Sequence, residues 1–336
     1  VKKQDKACVD PTQGSVEQNP NASTRVMYRY RISGLTVAAE MSLPGAIEIS
    51  TCAADVDIRF AEVPPHLANP TRSGPNWELD RSHFLLRLPG IGRLLATDGI
   101  RLDLWPEAGV DPGELPIFAI GSGMGALLYQ RGETILHASA VVRGDAAHLF
   151  CGPSGSGKST LAAALCKRGY AFASDDVSVI RLTGDGVPRL WPDGRQLKLL
   201  DSSITAVAVA DTRRDTVRTG FAKYFVDPPS RAVTEATPVG AIFILTEDRR
   251  LEEPRIEALK GAAAAAALHR NGYRPRLAQE MMRTGDPLRV PTAILRHVPV
   301  YRLSRPFGLH KLPQLVSLLE EHWADHGAGV DHAASA

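Results

Sequence analysis

The chain has 336 residues, a formal net charge of +2, and 44% hydrophobic and 23% charged residues. That is ordinary globular composition, sufficient for one large domain or two smaller ones. A charge this close to zero excludes a strong electrostatic grip on nucleic acid or an anionic membrane, and neither is an expected partner. No apolar stretch approaches the ~18 residues of a membrane span, and the first residues lack a basic-then-apolar secretory pattern. Four cysteines (Cys8, Cys52, Cys151, Cys166) form no C-x-x-C pair and no metal-ligand spacing. They read as small core residues in a reducing, cytoplasmic setting.

Residues 1–24 are polar and read as a disordered arm. Short strands are expected over Val26–Ile32, Leu35–Ala39, Val56–Phe60 and His83–Leu88. Arg93–Ala96 and Ile100–Trp105 flank the turn Thr97-Asp98-Gly99, with Ile100, Leu102 and Leu104 on one face. Pro/Gly/Asn clusters at 64–76 and 106–116 read as loops. Residues 25–112 therefore form a small, mainly antiparallel β module. Ile117–Arg131 has helical spacing, and Gly121, Gly123 and Gly125 within it are tolerable where another chain segment packs close. A strand over Thr134–Val142 and another over Ala147–Cys151 follow. Beyond them come a helix over 158–168, strands over Tyr170–Ala173 and Val177–Leu182, and a buried strand over Ala241–Leu245. A helix over Ala258–Arg270, a strand over Val298–Leu303 and a helix over Leu312–Trp323 complete the pattern. The fold class is α/β, with a phosphate-loop domain over 113–324 and a small-residue tail over 325–336.

Gly152-Pro153-Ser154-Gly155-Ser156-Gly157-Lys158-Ser159 is a complete G-x-x-x-x-G-K-[ST] loop between a strand and a helix that begins Lys158-Ser159-Thr160. Glycines let successive backbone N–H groups turn inward around phosphate oxygens. The helix aims its positive end at the same anion. Lys158 reaches the β/γ-phosphates and the Ser159 hydroxyl suits Mg²⁺, so ATP with Mg²⁺ is the expected cofactor pair.

Asp175 and Asp176 follow the strand after the loop helix. In a parallel sheet that strand end opens onto the phosphate crevice. One carboxylate can hold Mg²⁺ while the other accepts a proton; a Ser-Asp-Asp turn is the plainer alternative. His137 lies upstream, beside an expected strand, where a lone histidine is more often structural.

The order and spacing of His137, the loop 152–159 and Asp175-Asp176, with Lys167-Arg168-Gly169 closing the helix, resemble the bacterial HPr serine kinase/phosphorylase family. The resemblance implies that Asp175 accepts the proton of a target serine, assisted by His137, while Lys158 and Ser159 hold phosphates and Mg²⁺. With Asp175 as proton acceptor, Asp176 is the carboxylate of the pair expected to support the metal. The family's Glu-x-Arg-Gly-Leu-Gly segment and Pro-Gly-Arg-Asn-like loop are missing. Pro188–Lys198 stands in their place, where Asp193 can replace the glutamate as a metal ligand or sit in an exposed Pro-Asp-Gly turn. Arg195 and Lys198 can contact phosphate or be solvated.

Tyr30-Arg-Ile-Ser-Gly-Leu35, the stretch Arg131–Val141 with Leu-His-Ala-Ser-Ala-Val, and Trp191-Pro-Asp193 resemble a narrower group. These are the HPr-kinase-like proteins of lasso peptide biosynthesis, which phosphorylate a precursor's C-terminal serine. The resemblance implies transfer of the γ-phosphoryl of ATP to a serine on a peptide or small protein, and a homo-oligomer of undetermined number. An HPr-type or small-molecule kinase, and a non-enzymatic nucleotide-gated regulator, are the other readings. Arginine clusters at 213/214/218, 249/250 and 270/274/276 are each either solvated surface or a clamp for an acidic peptide or its carboxylate.

Overall fold

The computed structural model describes residues 27–50, 53–193, 196–218, 221–281 and 289–326. The expected arm over 1–24 lies outside them, as do Arg195, most of the tail, Cys8 and Cys52.

The first sheet has eight strands: β1 (Tyr28–Ile32), β2 (Leu35–Ala39), β3 (Val56–Phe60), β4 (Arg72–Gly74), β5 (Trp77–Leu79), β6 (His83–Leu88), β7 (Gly92–Thr97) and β8 (Arg101–Pro106). Their order is β1-β2-β3-β8-β7-β6-β5-β4. Most neighbours are antiparallel, but β3 runs parallel to both β2 and β8, so the sheet is mixed. Alternation orients β8: Leu102 and Leu104 are fully buried. Ile100, expected beside them, is 54% exposed because it belongs to the turn before the strand. The cluster expected as a loop at 64–76 contains β4, which pairs with β5 at the sheet edge.

A helical segment then covers the sheet: α1 (Pro116–Phe118), a π-helical turn at Ala119–Gly123, and α2 (Met124–Gln130). Ile120, Met124 and Leu127 share a core with Leu94, Leu102 and Leu104. A Cβ on Gly123 would lie 2.4 Å from Leu102 Cδ2, and one on Gly125 2.7 Å from Tyr273 Cε1. Close packing accounts for these two glycines; Gly121 faces open space.

The second sheet carries the loop. Its strands are β9 (Thr134–Leu136), β10 (Ala138–Arg143), β11 (Ala146–Cys151), β12 (Ala171–Ser174), β13 (Ser178–Leu182), β14 (Pro188–Trp191), β18 (Thr237–Glu247), β19 (Arg255–Leu259) and β20 (Val300–Arg305). A separate three-stranded sheet holds β15 (Leu197–Leu200), β16 (Arg213–Arg218) and β17 (Phe221–Val226). The remaining helices are α3 (Lys158–Lys167), α4 (Asp201–Val207), α5 (Gly261–Arg270), α6 (Pro275–Met281), α7 (Arg289–His297) and α8 (Leu312–His326). The strand expected over Thr134–Val142 breaks at His137, because β9 pairs with β13 while β10 pairs with β11 and β12. The helix expected from Ala258 starts at Gly261, since Ala258 and Leu259 finish β19 against β20. Asp325 and His326, expected in the tail, complete α8.

Topology gathers the motifs at one end of this sheet. β10 is antiparallel to β11 on one side and β12 on the other, with Ala138 opposite Cys151 and Ala140 opposite Ser174. The start of β10 therefore meets the ends of both neighbours. β18 and β20 run parallel to β11 and finish at the same end, with Glu247 opposite Arg305. The apolar face of α3 (Leu161, Leu165, Cys166) packs on Phe150, Phe172 and Phe243. Cys151 and Cys166 are buried free thiols, as expected of core residues.

His148, on β11, is 2% exposed against Trp323 and Phe243, and neither ring nitrogen has a hydrogen-bond partner among the described residues. Desolvation, aided by the nearby charges of Arg143 and His322, pushes its pKa down to about 3. The unfolded chain takes up a proton near pH ~6.5 that the folded chain refuses. Stability is therefore complete above about pH 6.5 and falls as pH drops toward 3, by up to ~1.4 kcal/mol per pH unit. Denaturant unfolding at pH 7 and pH 5 is expected to show His148→Phe losing about 2 kcal/mol less than the wild type over that interval. Equal losses would show that His148 does not drive the acid limb.

Candidate active site

The loop 152–157 joins β11 to α3. Gly152 (φ 149°) and Gly157 (φ 95°) hold backbone that other residues rarely adopt. A Cβ on Gly152 would meet Ser156 Oγ at 2.7 Å and the Leu245 carbonyl at 2.9 Å. α3 has no side-chain cap, so its first amides are left for a ligand. Ser156 Oγ is buried inside the loop without a hydrogen-bond partner among the described residues. Lys158 is 6% exposed, and its ammonium donates to the carbonyls of Gly152 (2.9 Å) and Pro153 (3.0 Å). Burial pushes its pKa down, against the pull of Asp175 and Asp176.

The two aspartates face different neighbours. Asp175, 2% exposed, accepts from Ser159 Oγ (2.7 Å) and Ser139 Oγ (2.6 Å) through Oδ1, and from the Lys198 amide (3.0 Å) through Oδ2. Asp176 has φ 80°, a conformation costly for a side-chain-bearing residue. Its Oδ1 lies 3.0 Å from His137 Nδ1 and its Oδ2 3.4 Å from Lys198 Nζ. His137 Nδ1 also lies 3.0 Å from the Asp176 carbonyl. Both partners are acceptors, so Nδ1 carries the proton. Histidine thus pairs with Asp176 rather than with Asp175, whose own side chain is engaged by the two serines.

Asp193 is fully buried, and its carboxylate accepts the Asp175 amide at 3.4 Å. The Ser33 amide donates to its carbonyl at 3.4 Å, so the β1–β2 turn packs over it. The exposed-turn alternative is thereby excluded. Asp193 borders neither cavity at the site and supports Asp175 from behind. Among the described residues no group of three His, Cys, Asp or Glu side chains has metal-ligand geometry. The oxygen pair Ser159 Oγ and Asp175 Oδ1 is nevertheless the hard donor set that suits Mg²⁺ held jointly with phosphates.

Two cavities open here. The first, about 670 Å³, lies over the loop and is bordered by Lys158, Thr160, Lys198, Lys223, Arg305 and Lys311, among others. This excess of cations matches a polyphosphate. Exposed Leu200, Phe307 and Leu309 form an apolar rim on the same cavity, a surface suited to a nucleobase. The second, about 1240 Å³, is bordered by Gly152 and Pro153 at the start of the loop. Three residues border both: His137, Asp176 and Glu247.

Sequence reasoning missed Lys223, Glu247, Arg305, Phe307 and Lys311. Arg305 donates from Nε to the Ser156 carbonyl (2.9 Å) and pairs with Glu247 (3.0 Å). One signal was available: Arg305 ends the last parallel strand, and ligands gather at the carboxyl ends of such strands. Lys223 and Lys311 have no comparable motif around them.

A family model described as an AAA domain matches residues 148–228. The match spans the loop, α3, β12 and the aspartate pair, and the chain has a nucleotide-binding phosphate loop in a mixed α/β fold. No curated protein matches the chain. Among solved structures, the HPr(Ser) kinase/phosphatase from Coxiella burnetii is similar, at 15% identity with a TM-score of 0.32, over 57% of this chain and 97% of that one. No helix among the described residues is long and apolar enough to cross a membrane.

Proposed function

We propose that the chain is an ATP-dependent kinase of HPr-kinase type that phosphorylates a serine hydroxyl on a peptide, the C-terminal serine of a lasso peptide precursor being the expected acceptor. The observation that carries the reading is the meeting of two cavities at His137 and Asp176. One has the cations of a polyphosphate site; the other is free for an acceptor. A nucleotide-gated regulator needs no carboxylate at such a junction. The motif order described above supports the family, and the lasso-type stretches support the acceptor.

Bound Mg²⁺ would be held by Ser159 and Asp175 and would neutralise charge on the phosphates. Lys158, the loop amides and Arg305 bind the phosphate chain. Asp176 takes the proton of the acceptor hydroxyl as the new O–P bond forms and the bond from Pγ to the β–γ bridging oxygen breaks. His137 orients that carboxylate through Nδ1–H, and Lys198 Nζ lies 3.4 Å from its other oxygen. In this reading Asp175 and Asp176 exchange the roles expected of them from the sequence. The test is intact-mass spectrometry after incubation with ATP, Mg²⁺ and a lasso precursor ending in serine, beside HPr. A gain of ~80 Da on the precursor is expected. A gain on HPr alone would replace the acceptor, and no gain with ATP still bound would favour the regulator.

A further inference from the structure

The second cavity has a cationic wall that the chemistry above does not use. Four arginines border it: Arg255, Arg270, Arg274 and Arg302. Arg255 and Arg302 both face Glu257, at 3.8 and 3.5 Å. Arg270 and Arg274 meet no carboxylate within ion-pair distance among the described residues. The other arginine clusters are occupied or lie elsewhere: Arg213 pairs with Asp201, Arg214 with Asp227, and Arg249 with Glu247.

The segment carrying Arg274 is held in place. The His137 amide donates to the Asn271 carbonyl (2.8 Å) and the Tyr273 amide to the Ile135 carbonyl (2.9 Å), strapping the end of α5 along β9. Tyr273 packs into the space that Gly125 leaves. Arg274 has φ 43°, and its Nε donates to the Tyr273 hydroxyl at 3.2 Å. A strained, side-chain-bearing residue fixed at a cavity wall is a mark of function. The same straps tie the arginines to His137, and so to Asp176. At about 1240 Å³ the cavity exceeds the ~300–1,000 Å³ of a typical small-molecule site and suits an extended ligand.

We propose that this cleft binds the phosphoryl acceptor as a peptide, and that Arg270 and Arg274 hold a carboxylate of that peptide so that its serine lies against Asp176. The inference rests on the kinase reading above. Planar guanidinium groups match a carboxylate bidentately. The carboxylate is either the serine's own terminus or an acidic neighbour.

The test uses three short synthetic peptides of one parent sequence. The first ends in serine with a free carboxylate, the second is its amide, and the third has an amidated end with an aspartate next to an internal serine. Their binding to the full chain is measured by fluorescence anisotropy with Mg²⁺ and a non-hydrolysable ATP analogue. At least one carboxylate peptide is expected to bind tenfold or more tighter than the plain amide, roughly the worth of a charge-assisted hydrogen bond. Preference for the first or third peptide identifies the source of the carboxylate. Arg270→Gln with Arg274→Gln is expected to erase the preference while analogue affinity stays unchanged, which also reports correct folding. Arg270→Lys alone is expected to retain part of it. Equal binding of all three peptides, or a preference that survives in the double variant, overturns the proposal. Parallel incubation with ATP separates the two readings: preference without a mass gain rejects the kinase and keeps the cleft, and a mass gain without preference does the reverse.

Discussion

Asp176→Asn is expected to slow phosphoryl transfer by about 10³-fold, within the range attributed to a positioned general base. The amide is isosteric, and its single oxygen can still accept from either His137 Nδ1 or Lys198 Nζ but not both, since these lie 3.0 Å from Oδ1 and 3.4 Å from Oδ2 of the carboxylate. It cannot take a proton. Nucleotide affinity is expected to stay within about threefold, because the loop, Lys158, Lys223, Arg305 and Lys311 are untouched. Single-turnover transfer at saturating ATP measures the step directly. A rate within tenfold of wild type would remove Asp176 from the proton path. The parallel substitution Asp175→Asn distinguishes the two carboxylates. It puts an NH₂ or a neutral oxygen where Ser139, Ser159 and the Lys198 amide all donate. Its expected signature is a raised Mg²⁺ requirement together with a lower unfolding midpoint, since a buried network loses an acceptor.

Lys158→Ala is expected to cost a further class of interaction. The side chain is buried in the loop, donating to the carbonyls of Gly152 and Pro153. In a phosphate loop of this pattern the lysine reaches the β- and γ-phosphates. Loss of one such donor typically costs about 10²–10³ in turnover, and ATP affinity is expected to fall about tenfold besides. Titration with a fluorescent ATP analogue, alongside transfer assays, separates the two effects. Unchanged affinity and turnover would mean that the loop does not hold the reactive phosphates.

Local features were legible because they are local. The loop 152–159 is a contiguous backbone device whose glycines and helix start stand in one short stretch. β3 follows from alternation, β2 and β6 from short β-favouring runs, and α3 from its Ala/Leu run. The break at His137 was not legible, because a continuous β-favouring run conceals that its two halves pair with different strands. Ile100 illustrates the same limit: a turn, not the period, decides its exposure.

The sequence by itself determined that the chain carries a phosphate loop between a strand and a helix, with an acidic pair downstream and a histidine upstream. These depend on residue type and spacing alone. Tertiary structure alone decided which carboxylate meets His137, that Asp193 lies buried behind Asp175, and that Arg305 reaches the loop from the far end of the chain. The physical reason is topological. An antiparallel β10 between β11 and β12, with β18 and β20 parallel alongside, brings residues more than 160 positions apart to one sheet edge. Within that edge, differences of an ångström or two in hydrogen-bond reach assign each neighbouring carboxylate its partner, and no one-dimensional spacing encodes them.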